Sequence, residues 1–190
     1  MRTERIGFAM CGSFCNRKMV LEELEKICRE YETVIPILSE QCQTKDTRFG
    51  TAAQLIETVE RLTGQKIRRN VVDTETIGSK KELDALVIAP CTGNTLAKLA
   101  HAVTDNAVTM AAKAHLRNER PVVVALATND GLSGTAPNLG QLLNRNHYYF
   151  VPFGQDDAMG KPRSLIADFS LLLPTLDAAL QGKQFQPMLV

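Results

Sequence analysis

The chain has 190 residues, of which 44% are hydrophobic and 23% charged, and its formal net charge is +1. This size suits one domain, spanning residues 1–190, whose core needs no disulfide or metal for stability. The near-neutral charge gives no reason to expect nucleic acid or a membrane surface as partner, and no run approaches the ~20 apolar residues that cross a bilayer. The five cysteines contain no Cys-x-x-Cys pair and the start of the chain has no signal-peptide pattern, so we expect a cytoplasmic protein without a metal site.

The first half of the chain alternates short apolar runs with helical patterns. The runs predict strands at residues 6–10 and 33–38, and the helical spacing predicts helices at 15–31 and 49–63. Pro36 within the second strand favours an edge position, because proline removes a ladder hydrogen bond. We predict a loop at 39–48 and a short strand at Val71-Val72.

The second half continues this alternation. A buried strand at 84–89 ends at Pro90, and the region 96–118 is predicted as two helices divided near 104–106. Further strands are predicted at 121–127 and 149–152, separated by a polar loop at 128–138. Residues 163–181 predict a C-terminal helix that is interrupted or kinked at Pro174.

Strands that alternate with helices of this length predict βαβ units. The expected fold is therefore a three-layer α/β/α, Rossmann-like (flavodoxin-like) parallel sheet in a single domain. Such folds bind ligands at the carboxyl ends of their strands. Polar turns follow the predicted strands at 6–10, 33–38 and 84–89, and we expect them to meet at that edge.

The first turn has the chemistry of a phosphate site, and the second lacks the acid expected of a dinucleotide site. Gly12 allows close approach of the backbone, and Ser13 can cap a helix and donate its hydroxyl to a phosphate. The G-x-G-x-x-G spacing is absent, which favours a single phosphate over a pyrophosphate. Ser39 stands where dinucleotide folds usually place an acid, although Glu40 follows it directly. The alternatives are a plain helix cap for the first turn and a solvated surface for the nearby cations, which are Arg17, Lys18, Lys45 and Arg48.

The third turn, Thr92-Gly93-Asn94-Thr95, is the most specific signal in the chain. Asn94 presents both a donor and an acceptor to the edge of a heterocycle or to a carboxylate. The alternative is an ordinary N-cap for the helix that follows. The histidines at 101, 115 and 147 lack the spacing of metal ligands and are predicted to be structural or exposed.

The segment Pro90-Cys91-Thr92-Gly93-Asn94-Thr95 resembles the P-A-S-A-N-T motif of the flavoprotein family that includes flavin-dependent cysteine decarboxylases and flavin prenyltransferases. The resemblance covers most of the chain, with Gly12-Ser13 and Ser39 at the family's phosphate-side turns. It implies FMN at the strand ends, bound by Gly12, Ser13, Ser39, Thr92, Gly93, Asn94 and Thr95. It also implies a homo-oligomer, a trimer or a multiple of one, in which a neighbouring protomer often completes the site.

Residues 89–100 and 128–133 more closely resemble one branch of this family, the B subunits of dipicolinate synthases of spore-forming bacteria. That likeness implies oxidation of a dihydrodipicolinate-pathway precursor to pyridine-2,6-dicarboxylate during sporulation, together with the A subunit of dipicolinate synthase, which binds NAD(P). The neutral donors Asn129 and Ser133 are the predicted ligands of this small dicarboxylate. Three arginines are candidates for charged pairing with it: Arg17, Arg48 and Arg145.

Two alternatives stay open from the sequence. The first is an FMN-dependent decarboxylase or prenyltransferase, although Arg48-Phe49-Gly50-Thr51 lacks the decarboxylases' histidine and only Asn129 matches their P-x-M-N-x-x-M-W motif. The second is a non-catalytic partner of the nicotinamide-binding subunit. The sequence identifies no catalytic residue.

Overall fold

The computed structural model describes residues 1–190 and has seven strands in one mostly parallel sheet, flanked by α-helices. The strands are β1 (Arg2–Met10), β2 (Tyr31–Leu38), β3 (Ala85–Cys91), β4 (Val122–Thr128), β5 (Tyr148–Phe150), β6 (Phe153–Gly154) and β7 (Leu165–Ala167). The helices are α1 (Arg17–Glu30), α2 (Glu40–Thr44), α3 (Ala52–Thr63), α4 (Val71–Ser79), α5 (Gly93–Ala100), α6 (Ala107–Leu116), α7 (Ala136–Leu143) and α8 (Leu172–Leu180).

The sheet has the order β2-β1-β3-β4, with β5 parallel to β4. β7 pairs antiparallel with β4, and β6 pairs antiparallel with β7. The predicted three-layer α/β/α, flavodoxin-like fold is confirmed. β1 pairs in parallel register with both β2 and β3, and β3 with β4, so their carboxyl ends lie at one edge. The strand order reverses between β1 and β3, and the crevice outside such a switch point is where open α/β sheets bind ligands.

Two apolar strands form the buried centre of the sheet. All seven residues of β3 are buried, and so is β4 except for its last residue, Thr128. Strands covered on both faces read as continuous apolar runs, which explains why the sequence located both. β2 is an edge strand, as Pro36 predicted. The Leu38 amide donates outward to the Arg68 carbonyl, so the Pro36 nitrogen, two residues earlier, also faces the outer edge.

Three local predictions in the first 138 residues need correction. Val71-Val72 is not a strand but the start of α4, because the Asn70 side chain caps the helix by accepting from the Asp73 amide. Residues 39–48 include the short helix α2, and the predicted loop 128–138 already contains the start of α7 at Ala136.

The predicted C-terminal helix was the largest error. Residues 165–167 form β7, Asp168 caps a 3-10 turn at Phe169–Leu171, and only Leu172–Leu180 is α-helical. Pro174 lies in the first turn of α8, where an amide has no intrahelical acceptor, so it causes no kink. No helix has the length and apolar character needed to span a bilayer.

A buried histidine joins α6 to the start of β4. His115 is fully buried; its Nε2–H donates to the Pro121 carbonyl at 3.1 Å, whereas its Nδ1 has no hydrogen-bond partner. Burial lowers the pKa of His115 from 6.5 to about 4, against the opposing effect of the Pro121 hydrogen bond. The folded protein therefore holds this ring neutral at physiological pH.

We expect the free energy of unfolding to fall as the pH drops from 6.5 toward 4. In that window the unfolded chain binds a proton at residue 115 that the folded chain excludes. The contribution of His115 to the free energy of unfolding is complete above pH 6.5 and is lost toward pH 4. It amounts to about 3 kcal/mol. Urea unfolding of wild type and His115→Gln across this range measures it, since the variant should lose this part of the pH dependence. Parallel curves for the two proteins would contradict the assignment.

Candidate functional site

Turns from three parallel strands line one cavity at the carboxyl edge of the sheet. Its volume is about 450 Å³, and it is lined by Gly12, Ser13, Thr92, Gly93, Ala127, Thr128, Asn129 and Asp130. A second cavity of about 210 Å³ shares Ser13, Thr128 and Asn129 with it and extends toward Lys161 and β7. The two cavities therefore adjoin at the ends of β1 and β4.

The turn after β1 packs on the short helix after β2. A Cβ on Gly12 would lie 3.3 Å from Cβ of Gln41, so glycine permits this close packing. Ser13 precedes the 3-10 turn Phe14–Asn16 without capping it, and its Oγ accepts a hydrogen bond from Asn16 Nδ2 at 2.9 Å. The predicted cap is therefore wrong; Ser13 lies in the cavity wall, and its role as a ligand stays a prediction.

Ser39 lies beside this turn, because its amide donates to the Met10 carbonyl at the end of β1. Its Oγ is buried and has no hydrogen-bond partner. Arg17, the first residue of α1, is also buried, and its Nε and Nη2 have no partner either. Burial raises the pKa of the nearby Cys42 thiol, an effect that the Ser39 side chain and the charge of Arg17 oppose. Ser39 and Arg17 thus converge on one buried region.

In the turn after β3, some side chains stabilise the turn and others face solvent. Thr92, not Asn94, is the N-cap of α5, since Thr92 Oγ1 accepts from the Thr95 amide at 3.3 Å. The Thr95 hydroxyl is buried and donates to Cys11 Sγ at 3.2 Å, so it supports the turn from within. Asn94 is exposed and its amide has no partner in the protein. The alternative that Asn94 is a helix cap is therefore wrong.

An aspartate that sequence reasoning missed fixes the loop after β4. Asp130 Oδ1 accepts hydrogen bonds from the Thr128 hydroxyl at 2.5 Å and the Thr135 hydroxyl at 2.7 Å. These two donors lower the pKa of Asp130, so it is ionised at neutral pH. A Cβ on Gly93 would lie 2.6 Å from both hydroxyl oxygens, so only glycine lets the β3 turn approach this cluster. Threonines two residues before and five after an aspartate in a turn-rich segment were the available signal.

The remaining candidates differ in where they lie. Asn129 is exposed and lines both cavities. The Ser133 hydroxyl donates to the Asp130 carbonyl and lines neither of them. Arg145 donates to the Leu99 and Ala100 carbonyls at the end of α5, far along the helix from the turn, which excludes it as a ligand of these cavities.

The cysteines near the turns are not poised as nucleophiles. Cys11 and Cys91 are fully enclosed, and burial raises the pKa of Cys11 to about 12 and that of Cys91 well above its usual value. Nucleophilic attack requires the thiolate, so neither is an activated thiol at neutral pH. Cys15 is exposed and lines the smaller cavity.

We expect Thr135→Val to raise the pKa of Asp130 toward its ordinary value, because one of the two donors to its carboxylate is lost. A carboxyl-carbon NMR titration of wild type and variant measures the shift. Ser133→Ala is the matched control, since that hydroxyl donates to the backbone carbonyl of Asp130 and should leave the titration unchanged. An unshifted Asp130 titration in Thr135→Val would refute the role of the hydroxyl.

Comparison with known proteins places this geometry in a family. The B subunit of dipicolinate synthase from Bacillus subtilis (strain 168) is 42% identical over 190 residues, which is 100% of this chain and 95% of that protein. The crystal structure of the corresponding B subunit from Bacillus halodurans has a TM-score of 0.90 and 41% identity, covering 98% of this chain and 96% of that one. The FMN-dependent cysteine decarboxylase SpaF, at 22% identity and a TM-score of 0.65 over 94% and 95% of the two chains, shares the fold. Residues 1–162 match the family model described as Flavoprotein, and the chain belongs to that family.

Proposed function

We propose that this protein acts as the B subunit of a dipicolinate synthase and binds FMN at the strand ends. The observation that carries the binding proposal is the cavity of about 450 Å³ between the turns after β1, β3 and β4. The reaction is inferred from the similarity along the full length to the B subunits of two dipicolinate synthases. The substrate is the dihydrodipicolinate-pathway precursor, and the product is pyridine-2,6-dicarboxylate.

The residues present fit the phosphate of FMN. Gly12 and Ser13 line the cavity, and the neighbouring Ser39 Oγ is a buried polar atom without a partner in the protein. A buried polar group of this kind is costly unless a ligand or water satisfies it. Thr92, Gly93 and Asn94 would face the flavin, with Thr95 supporting them from the protein side. When bound, the flavin supplies a two-electron acceptor for hydride, while the protein positions the ring and the substrate.

The substrate would be held by neutral donors and kept away from the one fixed anion of the cavity. Asn129 lies where the two cavities adjoin, and its amide can donate to a carboxylate. Asp130 is ionised, so it would repel a dicarboxylate from its side of the larger cavity. Lys161 in the smaller cavity is paired with Asp156 at 2.8 Å, so the net charge there does not oppose the dicarboxylate. Ser133 would contribute only after a rearrangement, because its hydroxyl now bonds the Asp130 carbonyl.

The remaining parts of the proposal concern assembly and setting. The relatives are named as B subunits, which supports a second kind of chain in the complex. We infer that this partner is the A subunit of dipicolinate synthase and that it binds NAD(P). We further propose a cytoplasmic homo-oligomer, a trimer or a multiple of one, that works during sporulation. Aromatisation of a dihydro precursor would remove one hydride and one proton, and the flavin or the partner's nicotinamide would supply the two-electron acceptor.

A visible spectrum and a reconstitution assay test this function. After incubation with FMN and removal of free flavin, we expect the purified protein to absorb at ~450 nm and to release the flavin on denaturation. Dipicolinate formation should require both this chain and its NAD(P)-binding partner. A colourless protein that supports dipicolinate formation with its partner would contradict the flavin part of the proposal. Decarboxylation of a cysteine carboxylate by this chain alone would contradict the proposed reaction.

We expect Asn94→Ala to weaken FMN binding by at least about tenfold, or ~1.4 kcal/mol, through loss of a polar contact with the ring. The fold should be unaffected, because Asn94 is exposed and is not the cap of α5. Flavin fluorescence titration and thermal unfolding measure the two effects separately. Asn146→Ala, an exposed amide away from the cavity, is the control, and equal FMN affinity in all three proteins would show that Asn94 does not touch the ligand.

A further inference from the structure

Arg17 is a buried cation with most of its hydrogen-bonding capacity unused. It is 8% exposed, and its Nε and Nη2 are buried without any partner. Its Nη1 donates to the Thr51 carbonyl at 3.2 Å, and no carboxylate forms an ion pair with it. A buried charge is normally compensated by a counter-charge, so the arrangement indicates an anion supplied from outside the chain.

The surroundings hold the guanidinium in a fixed position. It lies over the ring of Phe14, with its Cζ 5.8 Å from the ring centroid. A Cβ on Gly50 would lie 2.9 Å from Nη1, so the absence of a side chain there makes room for the group. Arg17 is thereby clamped between the start of α1 and the segment that leads into α3.

A second unsatisfied group lies in the same region. Ser39 Oγ is buried and makes no hydrogen bond to an oxygen or nitrogen atom; the Cys42 thiol beside it is a weak partner, and Arg17 also lies close enough to affect that thiol. Two N–H donors and one hydroxyl without acceptors match the three oxygens of a phosphate monoester, which a guanidinium binds through paired hydrogen bonds. The start of α3 does not compete for this anion, because Asp46 accepts from the Ala52 amide there.

We propose that Arg17 is the charged ligand of the flavin phosphate and makes the site selective for FMN over riboflavin. This deepens the proposed function and rests on it for the identity of the ligand. Arg17 provides the counter-charge, Ser39 donates its hydroxyl, and the glycine turn after β1 lets the phosphate approach. Riboflavin, which lacks the phosphate, would leave Arg17 uncompensated.

The test compares the affinities of the flavin-free protein for FMN and for riboflavin by fluorescence titration. We expect Arg17→Gln to weaken FMN binding about 10- to 100-fold, as loss of a charge-assisted hydrogen bond implies, and to leave riboflavin binding within about threefold of wild type. Arg17→Lys should fall between, because an ammonium keeps the charge without the planar fork. Arg61 is an exposed arginine on α3 that lines a surface groove between α1 and α3 together with Arg17, so Arg61→Gln is the matched control and should not change the ratio.

Inorganic phosphate provides a second readout that does not depend on flavin. It should raise the melting temperature of wild type and of Arg61→Gln, but not that of Arg17→Gln. If phosphate stabilises wild type and Arg61→Gln but not Arg17→Gln, while neither flavin binds, the anion site stands and the FMN proposal fails. An FMN-to-riboflavin ratio that is the same in wild type and Arg17→Gln overturns the role of Arg17. If Arg17→Gln does not fold, an unchanged ratio in both Arg17→Lys and Ser39→Ala has the same consequence.

Discussion

Parallel pairing of β1, β3 and β4 is the constraint on which the site depends. Ala9 pairs with Ile88, and Ile88 with Val124, so the three strands end at the same edge. Each chain segment then leaves the sheet as a turn, and the turns can only crowd together above it. The buried central strands hold this edge in place, since they are covered on both faces and make the core of the protein.

Close backbone approach converts that edge into a shaped cavity. Gly93 brings the start of α5 against the hydroxyls of Thr128 and Thr135, and Gly12 brings the first turn against α2. At both positions a Cβ atom would come too close to the neighbouring side chain. The glycines therefore serve packing between turns, and the ligand cavity is the space that these contacts leave open.

Charge without an ion-pair partner lies in two separate places at the site. Asp130 is fixed by threonine hydroxyls at the β4 side of the cavity, whereas Arg17 lies buried beyond the β1 turn, near Ser39. A ligand with a phosphate at one end and a ring at the other fits this polarity, because its anionic end would meet Arg17 and its ring would lie toward the Asn94 turn. The same polarity directs a dicarboxylate away from Asp130.

The sequence by itself determined the fold class, the edge position of β2 and the turns that follow the strands. Apolar runs in β3 and β4, and the proline in β2, have only a few sterically acceptable structures. It did not determine the C-terminal region, where β7 forms only because β4 and β6 offer pairing partners. Nor did the sequence show that Asp130 holds its loop through hydrogen bonds. It also did not distinguish Arg17, which is buried without a counter-charge, from Arg145, which donates to backbone carbonyls at the end of α5. These outcomes depend on which residues the folded chain brings together and leaves unpaired, and a local pattern carries no information about a neighbour that is distant along the chain.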